Sequence, residues 1–193
     1  MATHVALLRG INVGGRNKVP MADLREIVTS LGHSGVTTYI QSGNVLFTTA
    51  STSTDELASA LESAITGRFG IHASVVVLSR DDLARVLQDN PYPDEPNPKL
   101  VHVVFLNGEP PAHLLDRIAT AQSAAGAKGN HDTVTAIAHA LFLHTPDGFG
   151  NSELAQSLFR IITRPAKQKG EGLAATARNW ATATKLLALC DER

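Results

Sequence analysis

An α+β chain of two consecutive βαββαβ units is what the sequence predicts, and three observations carry the prediction. Short apolar or β-branched runs alternate with stretches of helical spacing in the order strand, helix, strand, strand, helix, strand. That order recurs in the second half of the chain. Between the halves lies Asn90–Pro98, whose four prolines no helix can continue through. The expected division is residues 1–90 as a first subdomain, 91–98 as a proline-rich linker, and 99–193 as a second subdomain ending in a C-terminal helix. Each subdomain is then a ferredoxin-like unit, an alpha-beta plait.

Each element has a local reason. Val5–Leu8 is apolar at consecutive positions, the mark of a strand covered on both faces. Pro20 suits the start of a helix on which Met21, Leu24, Ile27, Val28 and Leu31 recur, with Gly32 as its stop. Val36–Gln41 and Asn44–Thr49 read as strands joined by a tight Ser42-Gly43 turn. Ser53 and Glu56 form a capping box before a helix bearing Leu57, Leu61 and Ile65, which Gly67 and Gly70 end. Val75–Leu78 is the fourth strand, and Ser79 with Asp82 opens a short helix reaching about Gln88. Beyond the prolines, Leu100–Leu106 is a strand and Leu114–Gln122 lies on a helix ending near Gly126. Asp132–Ile137 and Ala140–His144 form a hairpin around Ala138-His139. Leu154, Leu158, Ile161 and Ile162 mark another helix, Leu173–Ala177 a short alanine-rich strand, and Asn179 caps a last helix.

Composition narrows the function classes. The 193 residues are 43% hydrophobic and 18% charged, with a formal net charge of −1. That balance describes a globular chain without a general attraction for nucleic acid or anionic membranes. The single cysteine, Cys190, excludes an intramolecular disulfide and a cysteine-based zinc cluster. The apolar run at Val5–Leu8 is too short for a signal peptide and is broken by Arg9, so a cytoplasmic protein is expected.

Topology brings particular residues together. In a βαββαβ unit the end of strand one lies beside the loop joining strands two and three and beside the start of strand four. That edge gathers Arg9, Asn12, Gly14, Gly15 and Arg16 with Gln41, Ser42 and Asn44, and brings His72 near. Two polar, glycine-containing loops converging on one edge form a candidate site for a small anionic ligand. Guanidinium groups would neutralise its charge and loop amides would cradle it. Gly10–Asn17 comes close to the phosphate loop G-x-x-x-x-G-K-[ST], but Arg16 stands for the lysine and Asn17 for the hydroxyl residue that binds magnesium. Nucleoside-triphosphate hydrolysis is therefore rejected. The alternative for the glycines is a tight turn needing positive φ.

The motifs Leu7-Leu8-Arg9-Gly10-Ile11-Asn12-Val13-Gly14-Gly15, Thr38-Tyr39-Ile40-Gln41-Ser42-Gly43-Asn44 and Arg178-Asn179-Trp180 resemble the signatures of one bacterial family, domain of unknown function sixteen-ninety-seven. The resemblance extends over essentially the whole chain and implies two ferredoxin-like subdomains. It implies no established activity, substrate or cofactor. The chain departs from the family pattern at Glu153, where a lysine is usual, at Ala177 and at Phe142.

Other chemistry is weaker. Arg178 joins the candidate ligand set, although Asn179 as a helix cap and Trp180 as a packing residue account for that motif structurally. No nucleophile–base pair is visible, and Ser42 qualifies only if His72 reaches it. The eight histidines are scattered, so no metal is expected. No cofactor is expected either. An RNA-recognition surface needs aromatic residues on the central strands, and only Phe47 is present there. Arg160, Arg164, Lys167, Lys169, Arg178 and Lys185 do make the C-terminal part locally basic. Two further readings therefore stand beside the anion site: an interaction module dimerising through exposed sheet faces, and RNA binding through the basic C-terminal segment. The protein is expected as a monomer or a homodimer.

Overall fold

The computed structural model describes residues 2–162 and 173–192. The chain falls into two compact units, Met1–Leu87 with Thr184–Arg193, and Gln88–Ala183. The first unit runs β1 (His4–Arg9), α1 (Met21–Ser30), β2 (Ser34–Tyr39), β3 (Asn44–Thr48), α2 (Thr54–Phe69), β4 (Ser74–Ser79) and α3 (Arg80–Gln88). Its four strands form an antiparallel sheet in the order β2-β3-β1-β4. One core joins Ala6, Leu8, Val45, Phe47, Val75 and Val77 of the sheet to Leu24, Ile27 and Val28 of α1 and Leu57, Leu61 and Ile65 of α2. Both helices thus lie on one face. The alternate strand residues Val5, Leu7, Leu46 and Val76 are also 0% exposed, as consecutive apolar runs require. The exposed apolar sheet face that the dimerisation reading called for is not found among the described residues of this unit.

Local chemistry fixes the helix ends. The Ser53 hydroxyl accepts from the Glu56 amide at 3.3 Å, and Gly70 closes α2 at a φ of 66°. Gly67, expected to help end that helix, lies inside it. At α3, Asp82 N–H donates to Ser79 Oγ (3.0 Å), whose own proton goes to the Asp82 carboxylate (2.6 Å). The two ends of the chain meet in this unit, where Ala2 N–H donates to the carbonyl of Cys190 and Arg80 pairs with Asp191 at 2.9 Å. Cys190 is fully buried, and its thiol is pushed up to about 11, chiefly by burial.

The expected two-residue turn after Gln41 is instead a four-residue loop, 40–43, because β2 stops at Tyr39. The Asn44 amide explains the wider loop: it donates to Tyr39 O and Ser42 Oγ, both at 3.0 Å, from a position with no exposed surface. Ile40 takes a positive φ of 49° within it.

The second unit repeats the order with β5 (Val101–Leu106), α4 (Ala112–Gly126), β6 (Thr133–Ile137), β7 (Ala140–His144), a short 3-10 turn at Phe149–Asn151, α5 (Glu153–Ile162) and β8 (Ala175–Asn179). Its sheet order is β6-β7-β5-β8, again antiparallel. Val104, Leu106, Leu141 and Leu143 pack with Leu114 and Ile118 of α4 and Leu154 and Leu158 of α5. The last strand lies two residues beyond its expected position. It pairs with β5 as far as Asn179, whose side chain then accepts from Thr182 N–H at 2.8 Å and starts α6 (Trp180–Asp191). That helix, expected wholly in the second subdomain, is divided at Thr184 between the units. The proline-rich segment is held by Tyr92, whose hydroxyl meets those of Thr133 and Thr135, and by Glu95, 2.7 Å from His144 Nε2.

Candidate functional site

The end of β1 leads into eleven residues, 10–20, before α1 begins. They form a small hairpin. Asn12 N–H donates to Asn17 O and Arg16 N–H to Val13 O, both at 3.0 Å, and Val13 and Arg16 form a bridge. Gly14 and Gly15 occupy the two central turn positions at φ 56° and 77°, which a type I′ turn requires and side chains resist. The paired glycines are therefore turn residues, and the loop stands out from the sheet rather than wrapping inward. Val13 at its tip is 68% exposed.

Asn12 ties this hairpin to its surroundings. Its Nδ2 donates to Val19 O (2.9 Å) and Gln41 O (3.0 Å), while its Oδ1 accepts from Val19 N–H (2.9 Å). Asn17 Nδ2 donates back to Gly10 O at 2.7 Å. Buried Ile11 and Val19 anchor the two stems. From the facing loop, Gly43 O accepts from Leu8 N–H at 2.8 Å. A Cβ at Gly43 would lie 2.8 Å from Leu8 Cβ and 2.9 Å from Ile11 Cδ1, so the close approach of the two loops needs glycine there.

Between the hairpin, the 40–43 loop and the start of α1 is a depression of about 590 Å³ lined by Asn12, Gly15, Lys18, Gln41 and, on its apolar wall, Val19 and Met21. The helix opens onto it without a side-chain cap, since Pro20 supplies none, and its first internal bond is Leu24 N–H to Pro20 O. The amides of Met21, Ala22 and Asp23 precede that bond and concentrate positive potential at the helix end. The carboxylate of Asp23 pairs with Arg68 at 2.8 Å. No acidic residue precedes Asp23 in the chain, whereas Arg9, Arg16 and Lys18 do, and residues 27–54 contain no Asp, Glu, Lys or Arg.

The expected site residues thus separate by role. Gly15 and Gln41 line the depression, as does Asn12, although the Asn12 amide is engaged within the protein. Gly14, Arg16 and Ser42 are exposed beside it. Asn44 is sealed inside the loop it shapes and presents nothing to solvent. Arg9 is half-buried and turned toward β4, with Nη2 3.5 Å from Ser74 Oγ; burial lowers its pKa and the charge of Glu62 partly offsets this. Arg178 belongs to the second unit, is 8% exposed, and donates to Thr176 Oγ1 and Ala177 O. Burial pushes it down to about 10. Lys18 is the residue the sequence reading missed. Its signal was a cation two residues ahead of a helix-starting proline.

His72 lines a second depression of about 700 Å³ with Glu62, Ser63, Thr66 and Ser74. Ser42 is not among the residues lining either one. Of the basic C-terminal residues, Arg164, Lys167 and Lys169 lie outside the described residues, and Lys185 pairs with Glu192 at 3.2 Å. Among the described residues no three His, Cys, Asp or Glu side chains gather to hold a metal ion, and no helix is long and apolar enough to cross a membrane.

Two antiparallel α/β units, the first with an elaborated glycine-rich edge, define the class of protein. The chain belongs to the family described as protein of unknown function DUF1697, whose model matches residues 1–140. The match leaves Arg178-Asn179-Trp180 outside it. Among solved structures the chain is similar to conserved bacterial protein SP0830 from Streptococcus pneumoniae, with 27% identity, a TM-score of 0.62 and 98% of each chain covered. A comparison with curated proteins found no match.

Proposed function

We propose that the protein binds a small ligand bearing a phosphate or carboxylate at the glycine-rich edge of its first unit, and that both units are ferredoxin-like plaits. One observation carries the ligand reading. The second unit builds the same strand order with five residues, 107–111, between β5 and α4, and two, 138–139, between β6 and β7. The longer loops of the first unit are therefore not demanded by the fold, and they enclose a depression lined by a lysine and an uncapped helix start. Lys18 attracts the anion, the first amides of α1 donate to it, and Gln41 orients the rest of the ligand. Arg16 adds long-range attraction from the hairpin.

Thermal denaturation in inorganic phosphate, against chloride at equal ionic strength, tests this. Wild type should gain several degrees at saturating phosphate, and Lys18→Ala should lose most of that gain. Equal gains in both proteins would remove the site from consideration. The interaction-module reading draws on a different observation, the exposed aliphatic side chains of Val13 (68%) and Ile40 (50%) at the same edge. It predicts self-association or partner binding that Val13→Ser with Ile40→Ser abolishes while phosphate stabilisation survives.

A further inference from the structure

The depression at the start of α1 holds few groups that can hydrogen-bond a ligand. Lys18 is its one charged side chain, and none of its lining side chains bears a hydroxyl or a carboxylate. The Asn12 amide is already engaged, its Nδ2 with Val19 O and Gln41 O and its Oδ1 with Val19 N–H. There remain the Lys18 ammonium, the Gln41 side chain and the uncapped first amides of α1. The rest of the side-chain lining comes from four consecutive apolar residues, Val19, Pro20, Met21 and Ala22. Val19 is buried, Met21 is half-buried against the core, and Pro20 and Ala22 are exposed. Such a wall offers nothing to a hydroxylated ligand, whereas apolar atoms laid on it release its water. The unbranched thioether chain of Met21 adapts to bodies of different shape.

We infer that the ligand of this depression is a small monocarboxylic acid with an apolar body, acyl or aryl. The inference rests on the anion reading above and adds the class of ligand. A carboxylate sets one negative charge against the one lysine, whereas a phosphate monoester carries about −1.5 to −2 at neutral pH. The two carboxylate oxygens accept from Lys18 and from the amides at the start of α1. The body of the acid then covers Pro20, Met21 and Ala22. A volume of about 590 Å³ falls within the range of small-molecule sites.

Calorimetric titration of the full chain with acetate, hexanoate, 1-hexanol and inorganic phosphate tests the inference. Each methylene group fully covered by apolar surface is worth about fourfold in affinity, and hexanoate has four more of them than acetate. Hexanoate should therefore bind at least about tenfold more tightly than acetate in wild type. The uncharged 1-hexanol should bind roughly tenfold more weakly than hexanoate, or worse. Lys18→Ala should weaken acetate and hexanoate by the same factor and leave their ratio unchanged. Met21→Gln should bring hexanoate close to acetate. Ala22→Gln, at an exposed helix position, should narrow the ratio as well and serves if circular dichroism shows that Met21→Gln does not fold. Equal affinities of hexanoate and acetate in wild type, or a ratio that both glutamine substitutions leave unchanged, would overturn the inference and leave the anion site standing. Hexanol binding as tightly as hexanoate, or binding of neither carboxylate and no phosphate, would overturn both.

Discussion

The β1–α1 connection and its counterpart β5–α4 solve the same topological problem with different amounts of chain. The second needs five residues, 107–111, and enters its helix directly after Pro111. The first uses eleven, 10–20, and likewise enters after Pro20. The difference is a hydrogen-bonded hairpin in which two asparagines and two glycines spend their conformational freedom on a projecting turn. Neither helix start has a side-chain cap, yet only the first is flanked by a lysine, an arginine-tipped hairpin and a widened neighbouring loop. A helix N-terminus alone is commonplace in folds of this kind, and the surrounding loops distinguish this one.

The largest expected effect breaks the contact that makes the first connection what it is. Gly43→Ala places a methyl group within 3 Å of Leu8 and Ile11 at a φ of 77°. It should cost about 2–4 kcal/mol in denaturant unfolding. A loss below about 1 kcal/mol would show that the loops accommodate each other loosely. Asn12→Ala removes two hydrogen bonds to Val19 across the base of the hairpin and one to Gln41 of the facing loop. Its expected cost is about 1–3 kcal/mol, with faster amide exchange at Val19. Unchanged exchange there would mean that the hairpin holds its place without Asn12.

A third effect belongs to the second unit and depends on pH. His102, stacked on Phe149 at 4.0 Å, is pushed down to about 4 by burial. Between that value and an unfolded value of about 6.5, the unfolded chain binds the extra proton, so stability is full above pH 6.5 and falls toward pH 4. His102→Phe should reduce the loss of urea midpoint between pH 7 and pH 5. Identical losses in both proteins would assign the acid sensitivity elsewhere, with His4 and His33, both lowered mainly by burial, the next groups to test. The smallest effect sharpens the contrast between hairpins. Ala138 sits at a φ of 47° in the two-residue turn. Ala138→Gly relieves backbone strain but loosens the unfolded chain, for a net change within about 0.5 kcal/mol.

The alternation of strands and helices was legible because each run is long enough to show its period, and the strand order followed from element order alone. Loop conformation was not. The sequence suggested a turn at Ser42-Gly43, but the Asn44 amide bonds back across the loop and widens it by two residues, which no local pattern announces. For the same reason Asn44 looked like a ligand residue and proves to be a buried brace. Arg9 and Arg178 read as cations for a ligand because burial does not show in a lone arginine. Lys18 was not legible because its place on the depression depends on where α1 begins relative to the hairpin. The convergence of the Gly10–Asn17 and 40–43 loops was foreseeable from topology, and the Asn12–Gln41 hydrogen bond realises it.

The burial of Cys190 gives the chain a clock of its own. It is the single thiol of the sequence, it has no exposed surface, and the amide of Ala2 is bonded to its carbonyl. A thiol reagent can therefore modify the folded protein only during moments when the C-terminal helix opens around it. The rate of that single modification reports how often the two chain ends part, with no label to introduce and no second cysteine to confuse the count.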